Sequence, residues 1–383
     1  MKALSNDKIN ISNLSKARDT QTLIKLLKEK NNLKEFDVLD AGTAMRFLTA
    51  YLAISTTQEV CITGTERMQK RPIKILVEAL QKSGASIEYI KEEGFPPLKI
   101  ESFKEQKTNQ ISIPGNISSQ YISALLMIAP KLKNGLEISI KTPIFSKPYI
   151  DMTLGLMKLA GIEHTFNENK ISIQAQEYQN SNISVETDWS AASYWFSIIA
   201  LSDIGKKVIL TGLKEKSFQG DSIIKEITKD FGVKYSFDDT QLILEKVSTN
   251  IKANLTIDFK KFPDLAQTIL PCAAALGINM KMTGLESLKI KETDRVVALT
   301  QELAKFSVEL KELNDSHWMM DSNNFKFRQG LEIATYEDHR MAMGFAPLAM
   351  LHDISILDVE VVNKSYPSFW EDLNRFGFNL TEQ

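Results

Sequence analysis

One pattern of apolar and polar positions recurs along the chain: an amphipathic helix, a small residue, then a strand of alternating apolar residues. It is read in ILVEALQKSGASIEYI, LGLMKLAGIEHTF, IIKEITKDFGVKYSF, LTQELAKFSVELKEL and WEDLNRFGFNL. The small residues are Gly84, Gly161, Gly232, Ser307 and Gly377, separated by 77, 71, 75 and 70 residues. Glycine straight after a helix suits a left-handed C-cap, and the strand follows at once. LIKLLKEKNNLKEFDVL near the N-terminus reads as a sixth copy without the glycine. The period is too long for a solenoid and predicts an α/β subdomain used five or six times. Six copies divide into two domains of three. The polar, turn-rich YQNSNISVETD (178–188) lies near the middle and puts the boundary at Thr187, giving domains 1–187 and 188–383.

Composition narrows the class. The 383 residues are 43% hydrophobic and 25% charged, ordinary for a globular protein of two or three domains. A net charge of −2 leaves no basic footprint for nucleic acid. No apolar run reaches a membrane span, and MKALSNDKIN lacks the apolar core of a signal peptide. Cys61 and Cys272 sit in apolar stretches and read as packing residues, so a reducing cytoplasm is expected. Arg is rare, at eight positions, and is therefore informative where it occurs, because its planar fork suits carboxylates and phosphates.

Five of those eight (Arg46, Arg67, Arg71, Arg295 and Arg340) lie at predicted helix mouths. In LKIKETDRVVALTQEL, Lys291, Glu292, Asp294 and Arg295 stand before an apolar-periodic run. The helix is expected to start near Thr293, with Thr293 as its cap. Lys291, Arg295 and the helix N-terminus make an anion site. Glu292 beside a bound anion makes sense if it moves a proton. TYEDHRMAMGFAPLAM sets Asp338, His339 and Arg340 before an apolar helix, and His339 has no partner spaced for a metal. LDAGTAMRFLTAYLA lets backbone N–H groups near Gly42 approach a ligand. ITGTERMQKRPIKILVEAL carries Arg67 and Arg71 ahead of Pro72, and NISSQYISALLMIAP offers Ser118, Ser119 and Gln120 at a helix start. Further mouths carry Ser146, Lys147 and Tyr149, then Asp264, then Lys364. If these helix ends face one cleft, it attracts small, multiply anionic substrates.

Taken in order, AGTAMR, RMQKRP, SSQ, SKPYID, KETDR and DHRMAM resemble the 3-phosphoshikimate 1-carboxyvinyltransferase (EPSP synthase) family, from about Leu4 to the C-terminus. DWSAASYW (188–195) resembles the segment opening the family's second large domain. The resemblance implies an α/β fold of two domains, each of three βαβαββ repeats, an inside-out α/β barrel with helix N-termini aimed at the interdomain cleft. It implies transfer of the enolpyruvyl group of phosphoenolpyruvate to the 5-hydroxyl of shikimate 3-phosphate, releasing phosphate. No metal or organic cofactor is implied, nor any nucleic-acid or membrane partner, and a monomer is expected.

Carried over by resemblance, Asp264 is the base at the 5-hydroxyl and Glu292 the acid that protonates C3. Arg67, Arg295, Arg340 and Lys364 hold phosphoenolpyruvate, with the backbone of Gly42 close by. Gln120 reaches both substrates. Ser118, Ser119 and Ser146 bind the phosphate of shikimate 3-phosphate, Lys291 its ring oxygens, and Tyr149 lines its pocket. Asp294 orients Arg295 or favours the helix dipole. Gly42 implies sensitivity to glyphosate.

The resemblance departs at the start. Family members open with a strand and a Lys-Ser loop, and no Lys-Ser-x-x-x-Arg pattern stands near Met1, which aligns inside the following helix. The strand and loop are therefore expected to be lacking. Asp40 and Ser287 stand where some members have Asn, and Ser287 is a polar substitute at the shikimate 3-phosphate position. Two alternatives stay open: a truncated, inactive or merely ligand-binding relative on this fold, and the related UDP-N-acetylglucosamine enolpyruvyl transferase. SSQ and DHR resemble the shikimate enzyme better, and neither cysteine sits in a basic loop.

Overall fold

Alternating burial along short strands, and all-round burial along a few helices, decide the architecture. The computed structural model describes residues 1–239, 241–314 and 316–381. The chain divides into two units, Met1–Val185 and Glu186–Gln383, each with its own hydrophobic core. Thr187 belongs to the second: its N–H donates to Gly212 O and its hydroxyl to Thr211 O.

The first unit runs β1 (Ile9–Ser12), α1 (Arg18–Glu29), β2 (Glu35–Asp37), α2 (Gly42–Ser55), β3 (Val60–Thr63), α3 (Lys74–Ser83), β4 (Ile87–Tyr89), β5 (Leu98–Ile100), β6 (Gln110–Pro114), α4 (Ser119–Ile128), β7 (Leu136–Lys141), α5 (Lys147–Leu159), β8 (Thr165–Asn167), β9 (Lys170–Ile173) and β10 (Ser181–Ser184). Its sheets are β2-β3-β5-β4, β6-β7-β9-β8 and a parallel pair, β1-β10. The second unit runs α6 (Trp189–Ala200), β11 (Lys207–Thr211), α7 (Ile224–Ile227), β12 (Val233–Asp238), β13 (Gln241–Lys246), β14 (Asn254–Asp258), α8 (Ala266–Ala275), β15 (Asn279–Thr283), α9 (Arg295–Lys305), β16 (Glu309–Asn314), β17 (His317–Asp321), β18 (Glu332–Ile333), α10 (His339–Phe345), β19 (Ser355–Ile356) and α11 (Phe369–Phe376). Its sheets are β14-β15-β17-β16, β11-β13-β12 and β18-β19.

Among the described residues three copies of the repeat are complete, and each orders its strands first, second, fourth, third. The first two strands are parallel and joined by a helix, and the last two form an antiparallel hairpin. One row of side chains crosses each sheet: Phe36, Ile62, Leu98 and Tyr89; Ile111, Ile138, Ile171 and Phe166; Leu255, Met280, Met320 and Leu310. The period of two puts such rows on one face, and that face goes to the core. The β11-β13-β12 sheet keeps the last three strands of the plan, and β18-β19 the parallel pair alone.

All five small residues take the left-handed conformation, with φ of 114° at Gly84, 80° at Gly161, 78° at Gly232, 63° at Ser307 and 117° at Gly377. At Gly232 a Cβ would also lie 1.9 Å from Ser248 O, so only glycine fits. The stretch read as a sixth copy behaves differently. After α1 the chain enters β2, which pairs parallel with β3 and opens a copy, whereas four of the five true junctions lead into a hairpin strand.

Helices α2, α4, α6, α8 and α10 are buried around most of their circumference, while α9 buries one side. Helices inside and half-exposed sheets outside are the inverse of a doubly wound fold. Small or hydroxyl residues let the inner helices approach. Ser123 and Thr153 share a hydrogen bond of 2.8 Å between α4 and α5, and Ser193 and Thr268 one of 2.9 Å between α6 and α8. Cys272 is buried in α8 and Cys61 half-buried in β3. Among the described residues no helix is long and apolar enough to cross a membrane.

Candidate active site

In the second unit the charged helix mouths converge on one guanidinium. Arg295, the first residue of α9, is 2% exposed. Its Nε donates to Asp338 Oδ2 at 2.7 Å, Nη1 to Asp264 Oδ1 at 2.9 Å and Nη2 to Glu292 Oε2 at 2.8 Å. Each partner comes from a different local device. Asp264 lies in a 3-10 turn, Pro263–Leu265, immediately ahead of α8. Glu292 precedes α9 by three residues, and Asp338 caps α10 by accepting from Arg340 N at 2.9 Å.

Further cations surround this core. Arg340 Nη2 donates to Asp264 Oδ2 at 3.2 Å, and Lys291 Nζ lies 3.5 Å from Asp264 Oδ1. Lys364 closes the turn Val359–Lys364 and sets its Nζ 3.5 Å from Glu292 Oε1. Burial alone would raise the Asp264 carboxyl. Arg340, Lys291 and Arg295 overcome that and hold it well below the usual carboxylate range. Burial pushes His339 down to about 4, so its imidazole is neutral near pH 7. Ser287 is half-buried in the turn Glu286–Ile290, one turn ahead of Lys291.

The cap of α9 differs from expectation. Asp294, not Thr293, is the N-cap, and its Oδ1 accepts from the N–H groups of Val296 and Val297, each at 3.1 Å. A carboxylate accepts from two orphan amides and also complements the helix dipole, which a hydroxyl does less well. Asp294 is thereby a helix cap rather than an orienter of Arg295.

Sequence reasoning missed three carboxylate or hydroxyl partners here. Asp338 orients Arg295; its signal was the charge cluster before α10, which reads equally well as a plain cap. Asp221 is 3% exposed and accepts a short hydrogen bond from Ser190 Oγ, and Ser190 Oγ lies 3.5 Å from Arg340 Nη2. Burial first, then the charge of Asp264, pushes Asp221 up to about 6.

In the first unit α2 begins at Gly42. A Cβ there would lie 2.5 Å from Arg71 Nη1 and 2.7 Å from Arg46 Nη1, so the missing side chain admits two guanidinium groups. Arg46 Nη1 donates to Gly42 O at 2.9 Å. Gln120 Nε2 donates to Thr43 Oγ1 at 2.8 Å, which ties the mouth of α4 to that of α2. Ser118 caps α4 by accepting from Gln120 N at 3.4 Å, and Ser119 beside it is buried. Ser146 precedes α5 in the left-handed conformation, φ 54°, and its carbonyl accepts from Tyr149 N at 3.0 Å. Arg67 is half-buried at the start of the turn Met68–Lys70. Arg46 lies one helical turn after Gly42, a spacing that brings it back to the start of α2, whereas nothing local marked the approach of Arg71.

In the second unit the cluster therefore combines three carboxylates on one fork with cations interleaved among them. It is equipped to bind anions and to move protons beside them. The family model described as EPSP synthase (3-phosphoshikimate 1-carboxyvinyltransferase) matches residues 1–373. A Bacteroides fragilis (strain YCH46) protein named 3-phosphoshikimate 1-carboxyvinyltransferase is 48% identical over 380 residues, 99% of this chain and 91% of that protein. One of the same name from Mannheimia succiniciproducens is 36% identical over 364 residues, 93% of this chain and 82% of that protein. A solved structure of EPSP synthase from Acinetobacter baumannii has the same fold, with a TM-score of 0.74 at 21% identity, covering 95% of this chain and 89% of that one.

Proposed function

The chain belongs to the EPSP synthase (3-phosphoshikimate 1-carboxyvinyltransferase) family, and from that premise we propose that it transfers the enolpyruvyl group of phosphoenolpyruvate to the 5-hydroxyl of shikimate 3-phosphate. The products are 5-enolpyruvylshikimate 3-phosphate and phosphate. The hydroxyl loses its proton and attacks C2 while C3 gains a proton. The tetrahedral intermediate then loses phosphate and a C3 proton.

The observation that carries this reading is the sharing of Arg295 by Asp264 and Glu292, with Lys291, Arg340 and Lys364 around them. In this reading Asp264 is the base and Glu292 the acid. A carboxylate ringed by three cations is a poor base, and the substrates supply the remedy. When the carboxylate and phosphate of phosphoenolpyruvate engage Arg295, Arg340 and Lys364, they neutralise the charges that hold Asp264 low, and its basicity rises. The same anions compete with Glu292 for Arg295 and Lys364, freeing it to carry a proton. Arg67 and the backbone at Gly42 assist with phosphoenolpyruvate. Ser118, Ser119, Ser146, Tyr149, Ser287 and Lys291 serve shikimate 3-phosphate, and Gln120 serves both.

The test is phosphate release from phosphoenolpyruvate by the 383-residue chain, with and without shikimate 3-phosphate. Release that requires shikimate 3-phosphate and falls at least about a hundredfold in Asp264→Asn is expected. Absence of release in the unmodified chain overturns the reading.

A further inference from the structure

One face of α9 holds the segment before α10 at two points. Arg295 and Glu302 are seven residues, two turns, apart, so their side chains leave α9 on the same side. The first holds Asp338. The second is fully buried, and its carboxylate accepts from Ala334 N at 3.2 Å and lies 2.7 Å from the Tyr336 hydroxyl, which also lies 2.8 Å from Gln301 Oε1; the charged carboxylate is the stronger acceptor. Lys305, one turn further along, donates to Glu302 Oε2 at 2.6 Å and to Glu332 O at 2.8 Å.

Between these anchors lie Tyr336 and Glu337, with φ of 54° and 55°. Two successive left-handed residues that both carry a Cβ are strained, and such strain persists only where the surroundings over-determine it. Directly after them come Asp338, which holds Arg295, and Arg340, which reaches Asp264. Rotation at either strained residue would re-aim both. Burial, then Glu302, raises the Tyr336 phenol, which stays a donor across the physiological range.

We propose that Tyr336 and Glu302 are positioning residues, whose hydrogen bond holds the left-handed Tyr336–Glu337 turn that sets Asp338 against Arg295 and Arg340 against Asp264. The kinetic part of the proposal rests on the reading of the site given above; the structural part does not.

Tyr336→Phe removes the hydroxyl and keeps the ring. Native-state hydrogen exchange is read first, because it needs no turnover. The amides of Asp338 and Arg340 should exchange at least about tenfold faster, with those of α4 unchanged. In the same variant KM for phosphoenolpyruvate should rise several-fold more than KM for shikimate 3-phosphate. Glycine takes the left-handed conformation without strain. Adding Glu337→Gly should therefore recover part of the lost kcat/KM, which a role confined to ring packing does not predict. Unchanged exchange at Asp338 and Arg340 overturns the proposal whatever the turnover. So do equal losses for both substrates without rescue. If the unmodified chain releases no phosphate, the functional reading fails, and the exchange measurement alone decides the positioning.

Discussion

Asp264 and Glu292 share one guanidinium, Arg295 Nη1 serving the first at 2.9 Å and Nη2 the second at 2.8 Å. The third face of the fork is taken by Asp338. A lysine ammonium is a point charge and cannot span three carboxylates. Arg295→Lys should therefore leave at least one of them buried without its partner and cost about 3 kcal/mol of stability. Shikimate 3-phosphate-dependent phosphate release should fall at least about a hundredfold. Urea denaturation and the release assay check both. A wild-type midpoint would mean that the carboxylates do not depend on the fork.

The cap of α9 gives a sharper comparison between neighbours. Asp294 accepts from two backbone N–H groups at the helix start. Asp294→Ala should cost about 1 kcal/mol, and Thr293→Ala only a few tenths. Thermal melts of the pair decide it; equal losses would refute the capping assignment.

The helix–glycine–strand junctions were legible because a left-handed cap has a residue signature, and even Ser307, read from position alone, adopts that conformation. Residues 23–39 misled for a physical reason. A helix followed by apolar residues looks alike whether the next strand opens a parallel pair or a hairpin, and only the partner, here β3, tells them apart. The charge clusters before α9 and α10 were visible as clusters. Glu292 reaches Arg295 Nη2 from three residues upstream, but that Asp338 takes Nε depends on two segments meeting in space, which no local spacing encodes. Asp221 left no trace at all: its partner Ser190 sits in an unrelated stretch, and its burial follows from packing.

Asp221 should make stability depend on pH in the direction opposite to most carboxylates. Burial, then the charge of Asp264, lifts it to about 6 from 3.8. Between those values the native state binds more protons than the unfolded one, so this group's contribution falls as pH rises and the full cost stands above pH 6. Asp221→Asn removes the titration. Its stabilising effect relative to wild type should grow by about 2 kcal/mol from pH 4 to pH 7. Urea midpoints across that range measure it, and a pH-independent difference would contradict the assignment.

Gly42→Ala should separate fold from function. The added Cβ meets the tips of Arg71 and Arg46, which are flexible enough to move aside. Stability should change by less than about 1 kcal/mol. Crowding the backbone at Gly42, which the proposed function sets beside phosphoenolpyruvate, should raise KM for that substrate roughly tenfold or more. Glyphosate should inhibit the unmodified chain, and inhibition should weaken in the variant. Turnover unaffected by high glyphosate in the unmodified chain would remove that expectation.

Gly344 offers the opposite case, because what it meets is backbone. A Cβ there would lie 2.0 Å from the carbonyl oxygen of Gln267 and 3.0 Å from its carbon. Gln267 is the second residue of α8, three after Asp264, and Gly344 lies in α10, four after Arg340. The close approach of α8 and α10 thus helps to set the 3.2 Å between Arg340 Nη2 and Asp264 Oδ2. A carbonyl inside a helix cannot swing away as a side-chain tip can, so Gly344→Ala must push the helices apart. Overpacking of this kind costs about 1–3 kcal/mol. The displacement should also lower kcat/KM roughly tenfold or more in the protein that remains folded. Melting and kinetics on the same preparation distinguish the two effects. An unchanged melting temperature would mean that the helices have slack, and normal kinetics with a lowered one would mean that Arg340 finds Asp264 without help from the helix spacing.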